Sequence, residues 1–256
     1  MKISATQSVF NYINELELAA TSAVHLKHEV KPLELLNKST DEKSAAVDAG
    51  STVSFVSGIP TQQKQDVLNS TLLAQLAANH AYDREKDTEQ WYRKYSEVLQ
   101  NIGWVTSAFG FEHYKSSSDS LQMSKVALDI IGSIASGNEL DVLETTLQAL
   151  NHLDPGSDAF EVFGQNGSSS DGGNFQLGTA AMDDNQDVSM CLGAFYFKAN
   201  EHKTNFLFWS WSTKSVQMYT SAQNIVLNNQ IYAKVRNAVI DKLGDKAQQF
   251  IKDIQI

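Results

Sequence analysis

Val188-Ser-Met-Cys-Leu-Gly-Ala-Phe-Tyr-Phe197 reads as a β-strand, but not as one with a solvated face. A half-buried strand alternates apolar and polar residues, because successive side chains point to opposite faces. Here Val188, Met190, Leu192, Ala194 and Tyr196 fall on one side, and Ser189, Cys191, Gly193, Phe195 and Phe197 on the other. Both sides call for burial. The strand therefore predicts helices on both faces of its sheet, or helices on one and an internal cavity on the other. Gly193 follows Cys191 on its face and predicts a gap beside the sulfur.

Flanking segments extend the sheet. Phe175–Met182 and Asn205–Tyr219 read as two further strands. The connections Asp183–Asp187 and Ala199–Thr204 are short and polar, which suits antiparallel hairpins and is too short for parallel crossovers. Within the third strand, Phe206 and Phe208 lie on one face and Leu207, Trp209 and Trp211 on the other.

Upstream the periodicity is helical. The first 36 residues predict a helix interrupted at Pro32, followed by a polar stretch to Ser44. Residues 45–60 admit a short strand at Val53, Phe55 and Val56. Thr61 predicts an N-cap for a helix to about Asn79, with Leu68, Leu72 and Leu76 on one face. Asp83 or Asp87 caps the next helix, striped by Trp91, Tyr95, Val98, Leu99 and Ile102 and ended by Gly103. Residues 104–114 turn β-like, with Phe109, Phe111 and His113 on one side. Leu121–Ala135 is helical, and Asn138 caps a further helix stopped at Pro155-Gly156. Residues 164–174 predict a mobile Gly/Ser loop. Downstream, 228–243 is a helix ended by Gly244, and Asp245–Ile254 a short one. The fold class is α+β: a helical N-terminal half, an antiparallel meander of three or more strands, and a helical C-terminus. The chain reads as a single domain over 1–256, with an N-terminal helical segment over 1–44 and a main body over 45–256.

Thirty acidic residues against 20 basic give a net charge of −10 over 256 residues. No basic cluster is present for nucleic acid, and adsorption to an anionic membrane is disfavoured. Any membrane contact must come from apolar groups. One cysteine makes no internal disulfide. The N-terminus lacks the apolar core of a Sec signal peptide, and the densest apolar run, Leu192–Phe197, is too short to span a bilayer as a helix. The chain is predicted to be cytoplasmic as synthesised, with a signal-independent export route left open.

Chemistry-bearing residues are few. Cys191 lacks the nearby His and polar setting of a nucleophile. It reads as a buried structural thiol or as a site for a thioester-linked acyl chain. His25 and His28 sit at i, i+3 before Glu29 without a third ligand in view. Asp183–Asp187 lacks the Gly and Glu of an EF-hand loop. Neither predicts a metal site. No Walker, GxGxxG or GxSxG pattern occurs, so enzyme activity is not expected.

The runs Val188–Phe197 and Phe206-Leu-Phe-Trp-Ser-Trp211, with Asp66–Leu76 and Trp91–Trp104, resemble the Erwinia virulence factor (Evf) family over residue 53 to the end. The resemblance implies a bacterial virulence protein associated with persistence in the insect gut, an α/β fold of unusual topology, and a palmitoyl group on a cysteine inside a hydrophobic cavity. Cys191 is the one position that could carry the palmitate. Gly193, Phe195, Phe197, Trp209 and Trp211 are the candidate cavity lining, and the partners would be the acyl chain and a host membrane or gut factor. Two other readings stand beside it: a pore-forming or insecticidal toxin, and a hydrolase or transferase whose site is assembled from distant residues.

Overall fold

In the computed structural model, residues 5–20, 33, 39–200, 203 and 205–256 are described. The first helix, α1, spans Ala5–Glu15, and the hairpin strands β1 (Ser44–Asp48) and β2 (Ser51–Phe55) follow. Next come α2 (Thr61–Ala81) and α3 (Thr88–Asn101), then the short strands β3 (Trp104–Val105), β4 (Glu112–His113) and β5 (Ser120–Gln122). Three helices succeed them: α4 (Met123–Gly132), α5 (Gly137–Asn151) and α6 (Asp158–Gly167). The long strands are β6 (Gly172–Met182), β7 (Val188–Ala199) and β9 (Val216–Leu227), with the short β8 (Ser210–Ser212) between the last two. The chain then forms α7 (Asn229–Leu243), α8 (Lys246–Phe250) and β10 (Ile251–Ile254). The class is α+β, with a helical N-terminal half and a large, mainly antiparallel sheet.

The sheet runs in the order β10-β1-β2-β6-β7-β9-β3, with β4 also on β9. Its one parallel pair is β2 with β6; the other ladders are antiparallel. Side-chain parity assigns the faces. Ser54 on β2 and Thr179 on β6 bond to α5, through Thr146 and the Glu139 carbonyl, and α4, α5 and α6 pack on that side. Asp48 and Asn174 point the other way, to α2 and α3, through Thr71, Gln75 and Tyr92. Both faces of β6 and β7 are thus covered by helices.

Local chemistry explains the helix ends. Ser136 and Glu139 form a capping box at α5, so the cap lies two residues before the expected Asn138. Asn228 caps α7 by accepting from the Ile231 amide, and Gly244 ends it with a positive φ of 52°, a conformation open to glycine. Thr61 lies inside α2, whose N-cap is Pro60 without a side-chain bond.

Four expectations are corrected. Residues 205–219 are not one strand. Phe206–Trp209 forms a turn whose carbonyls are taken by the Trp211 indole, the Ser124 amide and the Gln122 carboxamide. That turn buries Phe206 and Leu207 together, which a strand would send to opposite faces. β8 then pairs with β5 in a separate ribbon, and the third long strand begins only at Val216. The segment 164–174 is not a loop throughout: Ser157 caps α6, which runs through Gly167, and β6 starts at Gly172. The C-terminal helix stops at Phe250, and Ile251–Ile254 pairs with β1 instead. Among the described residues of the first 36, the helix covers only Ala5–Glu15. His25, His28 and Glu29 lie outside the described residues.

Candidate functional site

Cys191 is the fourth residue of β7, between Thr179 of β6 and Asn224 of β9. It is 3% exposed, yet its thiol hydrogen bonds to the exposed Asn224, with Sγ–Oδ1 at 2.9 Å. Glu139 Oε1 lies 3.4 Å away and the Ile134 carbonyl 3.7 Å. The sulfur therefore has an oxygen-lined setting under the α4–α5 connection. Burial pushes its pKa up to about 12, and the charge and hydrogen bond of Glu139 act the same way. A thiol so held is a poor nucleophile at neutral pH.

The aromatic residues lie farther along the same face. Phe195 stacks on Phe175 at 5.1 Å, Phe197 on Phe206 at 5.6 Å, and Trp211 tilts against Phe197 at 5.6 Å. The space left by Gly193 is taken. A Cβ there would stand 2.6 Å from the Phe195 ring and 2.8 Å from Ile131 Cγ1. Glycine at 193 thus lets the strand's own aromatic ring lie flat across the backbone. Trp209 does not join this cluster. It is 47% exposed, with Lys203 over its ring at 4.5 Å, because 206–209 is a turn and not a strand.

Sequence reasoning misses Glu139 and Asn224 as partners of Cys191. The Ser136-x-x-Glu139 spacing marks a capping box. Nothing local marks a carboxylate that also reaches a strand 52 residues on. On the opposite face it misses a second polar group. Asp48 accepts from Thr71 at 2.6 Å and Gln75 at 3.3 Å. Gln75 in turn accepts from the half-buried Arg84, whose guanidinium lies over Trp91 at 4.5 Å.

Between the two faces lies the slab of β6, β7 and β9, of 11, 12 and 12 residues. Its only charged side chain is Lys198, at its end.

No protein-family model matches the chain, and no curated protein does. Six solved chains align with it, among them the following two. The Evf virulence factor does so over 77% of this chain and 84% of its own, at 12% identity and a TM-score of 0.37. A delta-endotoxin aligns over 80% and 92%, at 12% identity and a TM-score of 0.40. Each is a likeness at the level of fold, and no residue role passes from either.

Among the described residues no group of three His, Cys, Asp or Glu side chains could hold a metal ion. Asp183 spends its Oδ1 on the amides of Asn185 and Asp187, closing the β6–β7 turn. Among the described residues no helix is long and apolar enough to cross a membrane.

Proposed function

We propose that this chain is a non-enzymatic, membrane-acting protein of virulence or toxin type, in which β6, β7 and β9 enter a host bilayer. The observation that carries this reading is the slab itself. A bilayer-spanning strand needs about 9–11 residues, and a charge on its lipid face is costly. Three adjoining antiparallel strands meet that length with one terminal lysine between them. In water the helical layers cover what the lipid would otherwise cover. Strands cross a bilayer only as closed barrels, so the inserted form would draw strands from several copies.

Release of dye from lipid vesicles tests it. The Ser54 and Thr146 hydroxyls lie 2.8 Å apart. Ser54→Cys with Thr146→Cys, in a Cys191→Ser background, therefore places two thiols within disulfide reach across β2 and α5. The reduced protein should release dye, and the oxidised protein should not until a reductant is added. Absence of leakage from the reduced protein across lipid compositions and pH, or equal leakage from the oxidised one, overturns the proposal.

A palmitoyl thioester on Cys191 would bring the protein to a membrane by another route. On its side stand the lone thiol and its bond to the exposed Asn224, a short step from solvent. Against it stand the raised pKa and the filled space beside Gly193, which an acyl chain would have to clear. Intact mass of protein from its native producer, before and after neutral hydroxylamine, decides. Loss of an acyl mass is expected for the thioester; an unmodified mass removes it.

A further inference from the structure

One of the four tryptophans is unlike the others. Trp91, Trp104 and Trp211 are 0%, 2% and 3% exposed, whereas Trp209 is 47% exposed. It closes the turn whose Phe206 and Leu207 are anchored in the core, so its ring stands outward on a fixed mount. The Asn205 carbonyl accepts from the Phe208 and Trp209 amides at 3.2 and 3.1 Å. The carbonyls of Phe206, Leu207 and Phe208 accept from the Trp211 indole, the Ser124 amide and the Gln122 carboxamide at 2.9, 2.9 and 2.7 Å. This backbone can leave water without stranding those carbonyls. The neighbouring Phe208, half-buried, borders a shallow apolar hollow with the half-buried Phe160. Charge differs locally as well. From Lys198 to Lys214, the stretch that joins β7 to β9, three lysines stand against the single acid Glu201, in a chain of net charge −10. One of them, Lys203, holds its ammonium over the Trp209 ring at 4.5 Å.

We propose that the turn 205–209 docks on the surface of a zwitterionic phospholipid bilayer, with Trp209 at head-group depth and Lys203 on a lipid phosphate. An indole has an apolar body and one N–H, and it favours the boundary between hydrocarbon and water. A lysine beside it can lay its stem along apolar groups and keep its charge among the phosphates. A rigid turn loses little freedom on docking. An anionic surface would repel the chain as a whole, whereas a zwitterionic one offers phosphates without that repulsion. The turn also lies in the connection between β7 and β9, so docking there brings the joined ends of two slab strands to the bilayer. The inference rests on the membrane reading, but docking is measured in the form that cannot insert.

That form is the full-length, oxidised Ser54→Cys, Thr146→Cys protein in the Cys191→Ser background. With the other three tryptophans buried, iodide quenching in buffer reports Trp209. On phosphatidylcholine vesicles the emission should shift to the blue and iodide quenching should fall. Vesicles brominated near the head of the acyl chain should quench the emission. Trp209→Ala should weaken co-sedimentation with vesicles by about tenfold. Ile240→Ala, at a 41% exposed apolar position on α7, should leave it unchanged. Circular dichroism checks that both variants are folded. No blue shift, no quenching by brominated lipid, or equal effects of the two substitutions overturns the docking turn. A blue shift that grows with protein concentration in the absence of lipid assigns the turn to a second copy of the chain and overturns the bilayer. Docking of the locked protein without dye release from the reduced one removes strand insertion and leaves the turn standing; dye release with Trp209 still open to iodide does the reverse.

Discussion

Asp48 is wholly enclosed between β1 and α2. One carboxylate oxygen accepts from Thr71 and Gln75, and the other has no partner among the described residues. Burial raises its pKa from 3.8 to about 7, against the lowering pull of Thr71, Arg84 and Gln75. The folded protein therefore holds this proton more tightly than the unfolded chain does. The resulting stability is full below the unfolded pKa of 3.8 and is lost as pH rises through about 7. The slope in that window can reach about 1.4 kcal/mol per pH unit. The melting temperature of the native protein should fall between about pH 4 and pH 7 relative to that of Asp48→Asn. Parallel profiles for the two proteins would show that Asp48 keeps its charge on folding. The same enclosed group illustrates what a single residue hides in sequence. Asp48 looks like a hairpin-turn residue, and its partners Thr71 and Gln75 look like the solvated side of a helix.

At the scale of elements, α2 is the clearest case. Its Leu68, Leu72 and Leu76 stripe is legible by spacing alone and is buried as expected. The other faces are buried too, and their polar residues are matched across the fold: Ser70 accepts from the Trp104 indole, and Asp66 takes both Arg236 Nε and Nη2 at 2.7 and 2.6 Å. The Asp66–Arg236 pair ties α2 to α7. Asp66 is 1% exposed. Arg236→Ala thus strands a carboxylate without its counterion and should cost about 3 kcal/mol in chemical denaturation. A loss below about 1 kcal/mol would mean that solvent reaches Asp66. The Asp66 and Arg236 partners lie 170 residues apart, and no window of sequence contains both. The turn at 206–209 fails for a related reason. An apolar run reads equally as strand or buried turn, and only its carbonyl partners, Ser124, Gln122 and Trp211, separate the two.

For the molecule as a whole, the two-faced apolarity of 188–197 is enough to imply cover on both sides of the sheet, because burial of alternate side chains on both faces has few solutions. The antiparallel order of β6 and β7 follows from one short polar turn. Strand order beyond that is not legible. The β2–β6 pair is parallel and joined through a long excursion, and β10 is four residues that look like the end of a helix. Of the candidate lining, Phe195, Phe197 and Trp211 do lie together, whereas Trp209 is set apart by the turn. The rings of α3 are visible in sequence as a stripe, but their cover by Phe109 and Phe111 depends on a loop pinned by Gln223 from far down the chain.

The pairing of β1 with β10 has a consequence for biosynthesis. Most of the chain's length separates the two strands. A ribosome elongating at typical bacterial or eukaryotic speeds takes tens of seconds to travel between them. Through that interval β1, a run of Ser-Ala-Ala-Val-Asp, offers an unsatisfied row of amides and carbonyls to any neighbouring nascent chain. The strand that seals it, β10, is made long after β1. A chaperone that shields that flank until β10 has been made should lower aggregation when this chain is overproduced.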